Sequence, residues 1–199
     1  MSEFLLQVDK SLFRLFNQEL TNGFFDAIMP VITDLNKYWF GWVIFVGLWI
    51  LLFWKGGKKG RIIALMLFPL VAFSDQVSST FIKKMIMRPR PCHEIDGRII
   101  MEHLRLLVPC GPGFSFPSSH AVNSFALATF LSVYYRKFRW AFFMFAIVVS
   151  YSRVYVGAHY PYDILVGAIV GIVCALIVIS CLQFAGKYFS ILEIKNLAD

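Results

Sequence analysis

Apolar residues fall along this chain in five blocks separated by short polar runs. Tyr38 to Trp54 carries no charge, Ile62 to Ile82 carries only Asp75, and neither Ala121 to Tyr135 nor Trp140 to Ser152 carries any. Ile164 to Gly186 is uncharged over 23 residues. Runs near 20 apolar residues match the roughly 30 Å hydrocarbon core of a bilayer, where only helices or closed barrels satisfy every backbone group. The shorter runs gain length from their flanks. The pattern predicts an all-α fold, a polytopic transmembrane helical bundle of five or six spans.

The N-terminus follows a different rhythm. In "FLLQVDKSLFRLFNQEL", Leu5, Val8, Leu12, Leu15, Phe16 and Leu20 recur at helical spacing, with Asp9, Lys10, Arg14 and Glu19 opposite. That predicts an amphipathic helix lying in the membrane interface. "FFDAIMPVITDL" follows, interrupted by Asp26, Pro30 and Asp34. It reads as a re-entrant piece or a short first helix, which leaves the span count at five or six. A basic start and a small-residue cleavage site are both missing from the first residues, so no cleavable signal peptide is expected. The chain divides into an N-terminal amphipathic and re-entrant region (1–37), a transmembrane domain (38–186) with a non-cytoplasmic loop at 88–116, and a cytoplasmic tail (187–199).

Composition agrees with the pattern: of 199 residues 58% are hydrophobic and 16% charged, against about a quarter charged in soluble domains. The net charge of +7 gathers in short loops, with four Lys/Arg in "KGGKKGR" (55–61) and three in "RKFR" (136–139). The positive-inside rule puts both in the cytoplasm. Two spans and one long loop separate them, so the two assignments agree. The charge therefore marks orientation, and no nucleic-acid partner is expected.

The opposite face collects nearly every reactive side chain. On the second span Gln76, Ser79 and Lys83 lie at i, i+3 and i+7, one stripe on a regular helix, and Arg90 follows after Arg88 and a helix-breaking Pro89. The plain alternative is that these cations anchor a helix end at lipid headgroups. A charge turned toward the bundle interior is costly and usually functional. "FPSSH" offers Pro117 for the first turn of a helix and Ser118 or Ser119 as its cap. The exposed N–H groups and positive dipole at that end form a ready anion site beside His120, although a lone interfacial histidine is also a common structural residue. "SRVYVGAHYPYD" supplies Arg153, His159 and Asp163. With Pro161 opening a helix, the His–Asp spacing of four permits a hydrogen bond that fixes one tautomer and frees the other nitrogen to attack. A simple His–Asp cap would share that spacing. Three such sites on one membrane face argue against independent accidents.

These three segments resemble the motifs of the type-2 phosphatidic acid phosphatase superfamily, which also includes vanadium haloperoxidases and glucose-6-phosphatase. The resemblance rests on Lys83 with six residues to Arg90-Pro91, on "PSSH" at 117–120, and on Ser152-Arg153 with five residues to His159 and three more to Asp163. It covers roughly residues 60 to 185. One departure is Ser119, where the family usually has glycine. Serine still offers its N–H and adds a hydroxyl, so fine positioning is affected rather than activity.

The resemblance implies a phosphate held by Lys83, Arg90 and Arg153 with Ser118 and the N–H groups at Ser119 and His120. It implies in-line attack by His159 to form a phosphohistidine, orientation of His159 by Asp163, and proton transfer by His120. Three fixed cations and a helix terminus can supply the charge neutralisation that phosphoryl transfer needs. No metal and no other cofactor is therefore expected, and activity should survive EDTA. The implied protein is a membrane lipid phosphatase in a bacterial cytoplasmic (inner) membrane, with its site facing the periplasm and membrane lipids around it. Undecaprenyl diphosphate, lipid A 1-phosphate and phosphatidylglycerol phosphate are candidate substrates. A phosphotransferase using the same histidines is the nearest alternative. A non-catalytic phospholipid-binding or transport protein is a second, and it predicts erosion of the triad that is intact here. The spans disfavour a haloperoxidase.

Cys92 and Cys110 bracket the non-cytoplasmic loop, where disulfides persist. A bridge there would close a loop of nearly twenty residues and stabilise by roughly 3 kcal/mol in the loop-entropy picture; two free thiols are the alternative. Cys174 and Cys181 read as small apolar fillers. Gly167 and Gly171 form a GxxxG pair suited to packing inside the bundle.

Overall fold

A computed structural model describes residues 3–95 and 98–188. Among them the α-helices are α1 (Glu3–Arg14), α2 (Gly23–Thr33), α3 (Trp39–Lys55), α4 (Gly57–Asp75), α5 (Lys83–Ile86), α6 (Ser119–Tyr134), α7 (Arg139–Tyr155) and α8 (Pro161–Tyr188). A π-helical turn at Leu15–Glu19 extends α1, and another at Gln76–Ile82 joins α4 to α5. The fold is all-α apart from a two-residue antiparallel ladder in the long loop, Glu94–Ile95 against Arg98–Ile99. The expected tail from 187 lies, from 189 onward, outside the described residues.

Helix α6 is the centre of the bundle. Its Ala126, Phe130 and Tyr134 pack with Ile63 and Leu70 of α4 and Ala175 and Ile179 of α8. Gly167 and Gly171 let α8 approach α6 closely. A Cβ at Gly167 would meet Ala121 Cβ at 2.9 Å, and one at Gly171 would meet the Val122 carbonyl oxygen at 2.2 Å. The GxxxG pair therefore serves packing within the bundle, as expected. Helix α3 is apolar on every side yet buries only Gly41. Its Trp39, Val43 and Trp54 are 78%, 62% and 71% exposed, an outward apolar surface of the kind that a bilayer or a partner covers. Two stretches, Gly57–Ile86 and Pro161–Ala185, are long and apolar enough to cross a bilayer by length and composition.

Three local expectations change. The basic run after α3 is not an open loop: only Gly56 separates α3 from α4, so Lys58, Lys59 and Arg61 ride on the first turns of α4. The stripe Gln76–Ser79–Lys83 is broken by the π-helix, whose wider turns no longer advance 100° per residue. Gln76 faces outward and accepts from the Thr80 hydroxyl, whereas Ser78 is buried and joins Ser79 in facing α6.

The third change concerns α1, which exists but is rotated so that Asp9 faces inward while Arg14 and Glu19 stay exposed. Its buried stripe is Asp9, Phe13 and Asn17, while Leu5 and Leu20 are exposed. Asp9 points into the protein because it has ionic and backbone partners there, and a satisfied carboxylate can be buried where an unpaired one cannot.

Candidate active site

The turn between α7 and α8 carries His159 inward. The N–H groups of Ala158 and His159 both donate to the Arg153 carbonyl, at 3.0 and 3.2 Å. Gly157 adopts φ +85°, and a Cβ there would stand 2.7 Å from the Arg105 carbonyl oxygen, so both its backbone and its contact call for glycine. His159 ends 1% exposed.

Its two ring nitrogens have different neighbours. Nε2 lies 3.1 Å from Arg90 Nη1. A guanidinium can only donate, so Nε2 accepts and the proton sits on Nδ1. Nδ1 is 3.3 Å from the Ser115 hydroxyl and 3.5 Å from Asp163 Oδ2. The Ser115 hydroxyl in turn donates to Asp163 Oδ2. A buried hydroxyl thus stands between imidazole and carboxylate, and the His–Asp link expected from the spacing is partly relayed through it. The lone pair on Nε2 faces Arg90.

Asp163 has no free edge. Its Oδ2 also accepts the Tyr160 N–H at 2.9 Å, its Oδ1 accepts Arg88 Nη1 at 2.8 Å, and its carbonyl accepts the Ser118 N–H at 3.0 Å. The last bond ties the start of α6 to the start of α8. Burial, with Arg90 and Arg153 adding to it, pulls the His159 imidazole down to about 4. At neutral pH the ring is uncharged and nucleophilic.

Arg90 stands on the Nε2 side, with further cations and donors in the neighbourhood. Arg90 is 7% exposed and also donates to the carbonyls of Ala158 and Gly113. Arg153 Nη1 reaches the Thr33 hydroxyl at 2.9 Å and Asp34 at 3.5 Å. Its Nε is buried with no hydrogen-bond partner, and so is the Ser118 hydroxyl. Among the described residues the other buried polar atoms in that condition, in Thr129 and Ser150, sit within helices. Lys83 lies within electrostatic reach of Arg90, Asp163 and Arg153, and His120 within reach of Arg153, His159 and Lys83.

Ser118 sits at the N-cap position of α6, but its side chain makes no capping bond, and Pro117 lies one residue before the cap rather than in the first turn. The Ser119 hydroxyl turns away toward the π-helix, 3.0 Å from Ser78 and 3.2 Å from Ser79. Cys92 and Cys110 are bridged, with Cα atoms 5.9 Å apart. Among the described residues no three His, Cys, Asp or Glu side chains gather as a metal site.

Of the expected residues, Arg90, His159, Asp163 and Ser118 are joined by hydrogen bonds, Lys83, His120 and Arg153 lie within electrostatic reach of them, and the Ser119 side chain points away. Sequence reasoning gave Ser115, Thr33, Asp34 and Arg88 no role at the site. A signal was present in part: Asp34 stands in an apolar segment, where a carboxylate requires a partner.

The sequence profile of the PAP2 superfamily matches residues 64–187. The chain belongs to that superfamily. A Bacteroides thetaiotaomicron relative named lipid A 4'-phosphatase is 36% identical over 186 residues, covering 86% of this chain and 75% of its own. Among solved structures, Aquifex aeolicus LpxE superimposes with TM-score 0.68 at 27% identity, covering 85% of this chain and 93% of its own. The Bacillus subtilis transmembrane PAP2-type phosphatidylglycerolphosphate phosphatase superimposes with TM-score 0.65 at 21% identity, covering 92% and 88%; that likeness speaks to fold. This chain shares the fold of that transmembrane PAP2 enzyme and carries two helices long and apolar enough to cross a bilayer.

Proposed function

We propose that this PAP2 protein is a lipid phosphate hydrolase in which His159 is the nucleophile, acting on lipid A with the 4'-phosphate as its first substrate. The observation that carries the chemistry is the pairing of a neutral, accepting His159 Nε2 with unpartnered buried donors on Arg153 and Ser118. Buried donors of that kind are costly unless an acceptor meets them, and a phosphate offers several acceptors. The substrate choice is supported by the name of the Bacteroides relative. It moves the assignment from the 1-phosphate to the 4'-phosphate of the same lipid.

Phosphate oxygens bind Lys83, Arg90, Arg153, Ser118 and the N–H groups opening α6. On binding, Arg90 exchanges Nε2 for a phosphate oxygen and releases the lone pair. Nε2 attacks phosphorus, the bond to the lipid oxygen breaks, and His120 gives that oxygen a proton. His120 then takes a proton from water, the hydroxide displaces His159, and inorganic phosphate leaves. Asp163, with the Ser115 hydroxyl, holds the Nδ1 proton throughout.

The reading includes five spans: α3, α4 with α5, α6, α7 and α8. Helix α2 has 11 residues, about 16 Å of rise, which falls short of a bilayer core. α1 and α2 lie at the periplasmic interface of the inner membrane with the long loop. In support, Asn17 and Asp26 bond Arg105 of that loop.

Phosphate release from a panel of lipid A, undecaprenyl diphosphate and phosphatidylglycerol phosphate, by purified wild type and His159→Ala, tests the proposal. Wild type releases phosphate fastest from lipid A at the 4' position, and the variant is inactive. Equal rates for the two proteins remove the enzyme reading. Substrate loss without free phosphate points to a phosphotransferase.

A further inference from the structure

We propose that Asp9, on the N-terminal helix and outside the segment matched by the family profile, is a positioning residue that acts through Arg88 on the Asp163–His159 pair. This rests on His159 acting as the nucleophile.

Asp9 is fully buried. Its Oδ2 lies 2.6 Å from Arg88 Nη2, and its Oδ1 accepts the Tyr162 N–H at 2.9 Å. Arg88 presents its other terminal nitrogen to Asp163 Oδ1 at 2.8 Å. The guanidinium is thus clamped between two carboxylates. One comes from α1 and the other from the first turn of α8, 154 positions later in the chain. The plane of the guanidinium is fixed as well: its Cζ stands 4.0 Å above the Tyr160 ring, which itself packs on Phe13 of α1 with ring centroids 5.5 Å apart. The Arg88 carbonyl accepts the Ser115 N–H at 2.7 Å, so Arg88 also places the hydroxyl that links His159 to Asp163.

The charge arrangement has a consequence for catalysis. His159 gains positive character as it bonds phosphorus, and Asp163 must then act as an anion. An Arg88 paired to Asp163 alone would cancel that charge where it is needed. A second carboxylate on the far edge of the guanidinium offsets the cation, so the three groups together keep one negative charge facing His159. The pairing also holds Asp163 Oδ1 on Arg88 and leaves Oδ2 for Ser115, Tyr160 N–H and His159.

A simpler role for Asp9 is to anchor α1. That role has other bearers. Asn17 donates to the carbonyls of Arg105 and Tyr155, each at 2.8 Å, and accepts the Arg105 N–H at 3.0 Å, and Phe13 is fully buried. Anchoring and positioning therefore separate in different variants.

The test uses the full chain in detergent, with kcat and KM for a lipid phosphate and the thermal midpoint of each protein. Asp9→Asn should lower kcat about tenfold, the effect of losing one opposed charge near the reacting group, with KM within about twofold and the midpoint near wild type. Asp9→Glu should recover most of the kcat. Asn17→Ala, which removes anchoring bonds only, should lower the midpoint and leave kcat close to wild type. Wild-type kcat in Asp9→Asn overturns the inference, as does a fall in kcat that tracks the midpoint and that Asp9→Glu leaves unrepaired. His159→Ala is measured alongside. If it is inactive while Asp9→Asn matches wild type, only this inference fails; if it is active, the nucleophile assignment fails first.

Discussion

A histidine attacks phosphorus only with its lone pair free, and at His159 burial holds the imidazole near 4 rather than at its usual value. The sign is direct: the neutral form is the reactive one, and it persists down to about that pH. The acid limb of kcat/KM should therefore fall near pH 4, well below the 6.5 of an ordinary histidine. A limb centred at 6.5 would place a different group in control. The Ser115 hydroxyl is the second residue-scale element, because it bridges Nδ1 and Asp163 Oδ2. Ser115→Ala removes one bond to a charged partner, worth about 1.5 kcal/mol, so kcat should drop roughly tenfold with KM little changed. An unchanged kcat would leave Ser115 a structural neighbour only.

At the scale of elements, the proposed site forms where α6 and α8 begin side by side. The Ser118 N–H meets the Asp163 carbonyl at their first turns, and below it Gly167 and Gly171 keep the axes close. Gly171→Leu drives a side chain into the Val122 carbonyl, and overpacking of this kind costs about 1–3 kcal/mol. A lowered thermal midpoint together with lost activity is expected, and a wild-type midpoint would show that the helices are not held by this contact. The same scale explains what the sequence disclosed. The five apolar runs became α3, α4, α6, α7 and α8 because each run is long and uninterrupted. The interior stripe on the second span went astray because a π-helix leaves no mark in hydropathy, and the count of 100° per residue fails across Gln76–Ile82.

For the whole molecule, the three motif segments were legible because each lies within a short stretch of fixed spacing. Their supporting groups were not. Arg88 meets Asp163 across 75 positions and Asp9 across 79, and Arg153 meets Thr33 across 120. Nothing local in sequence marks such pairings. α1 was read from its apolar stripe as resting in the interface with Asp9 on the opposite, polar side, yet the face that docks carries Asp9, Phe13 and Asn17. The proposed orientation makes its own prediction. A cysteine replacing exposed Ile99 should react with a membrane-impermeant thiol reagent from outside intact cells. A cysteine replacing Lys137, in the basic turn between α6 and α7, should react only after permeabilisation. The reverse pattern would invert the topology.

The most direct measurement is to quench wild-type protein in alkali during turnover of a lipid phosphate and map covalent phosphate by mass spectrometry. Phosphate on His159, absent from His159→Ala, is the predicted result. Turnover with no phosphorylated histidine, or with phosphate carried by another residue, would contradict the convergence of these segments on a single nucleophile.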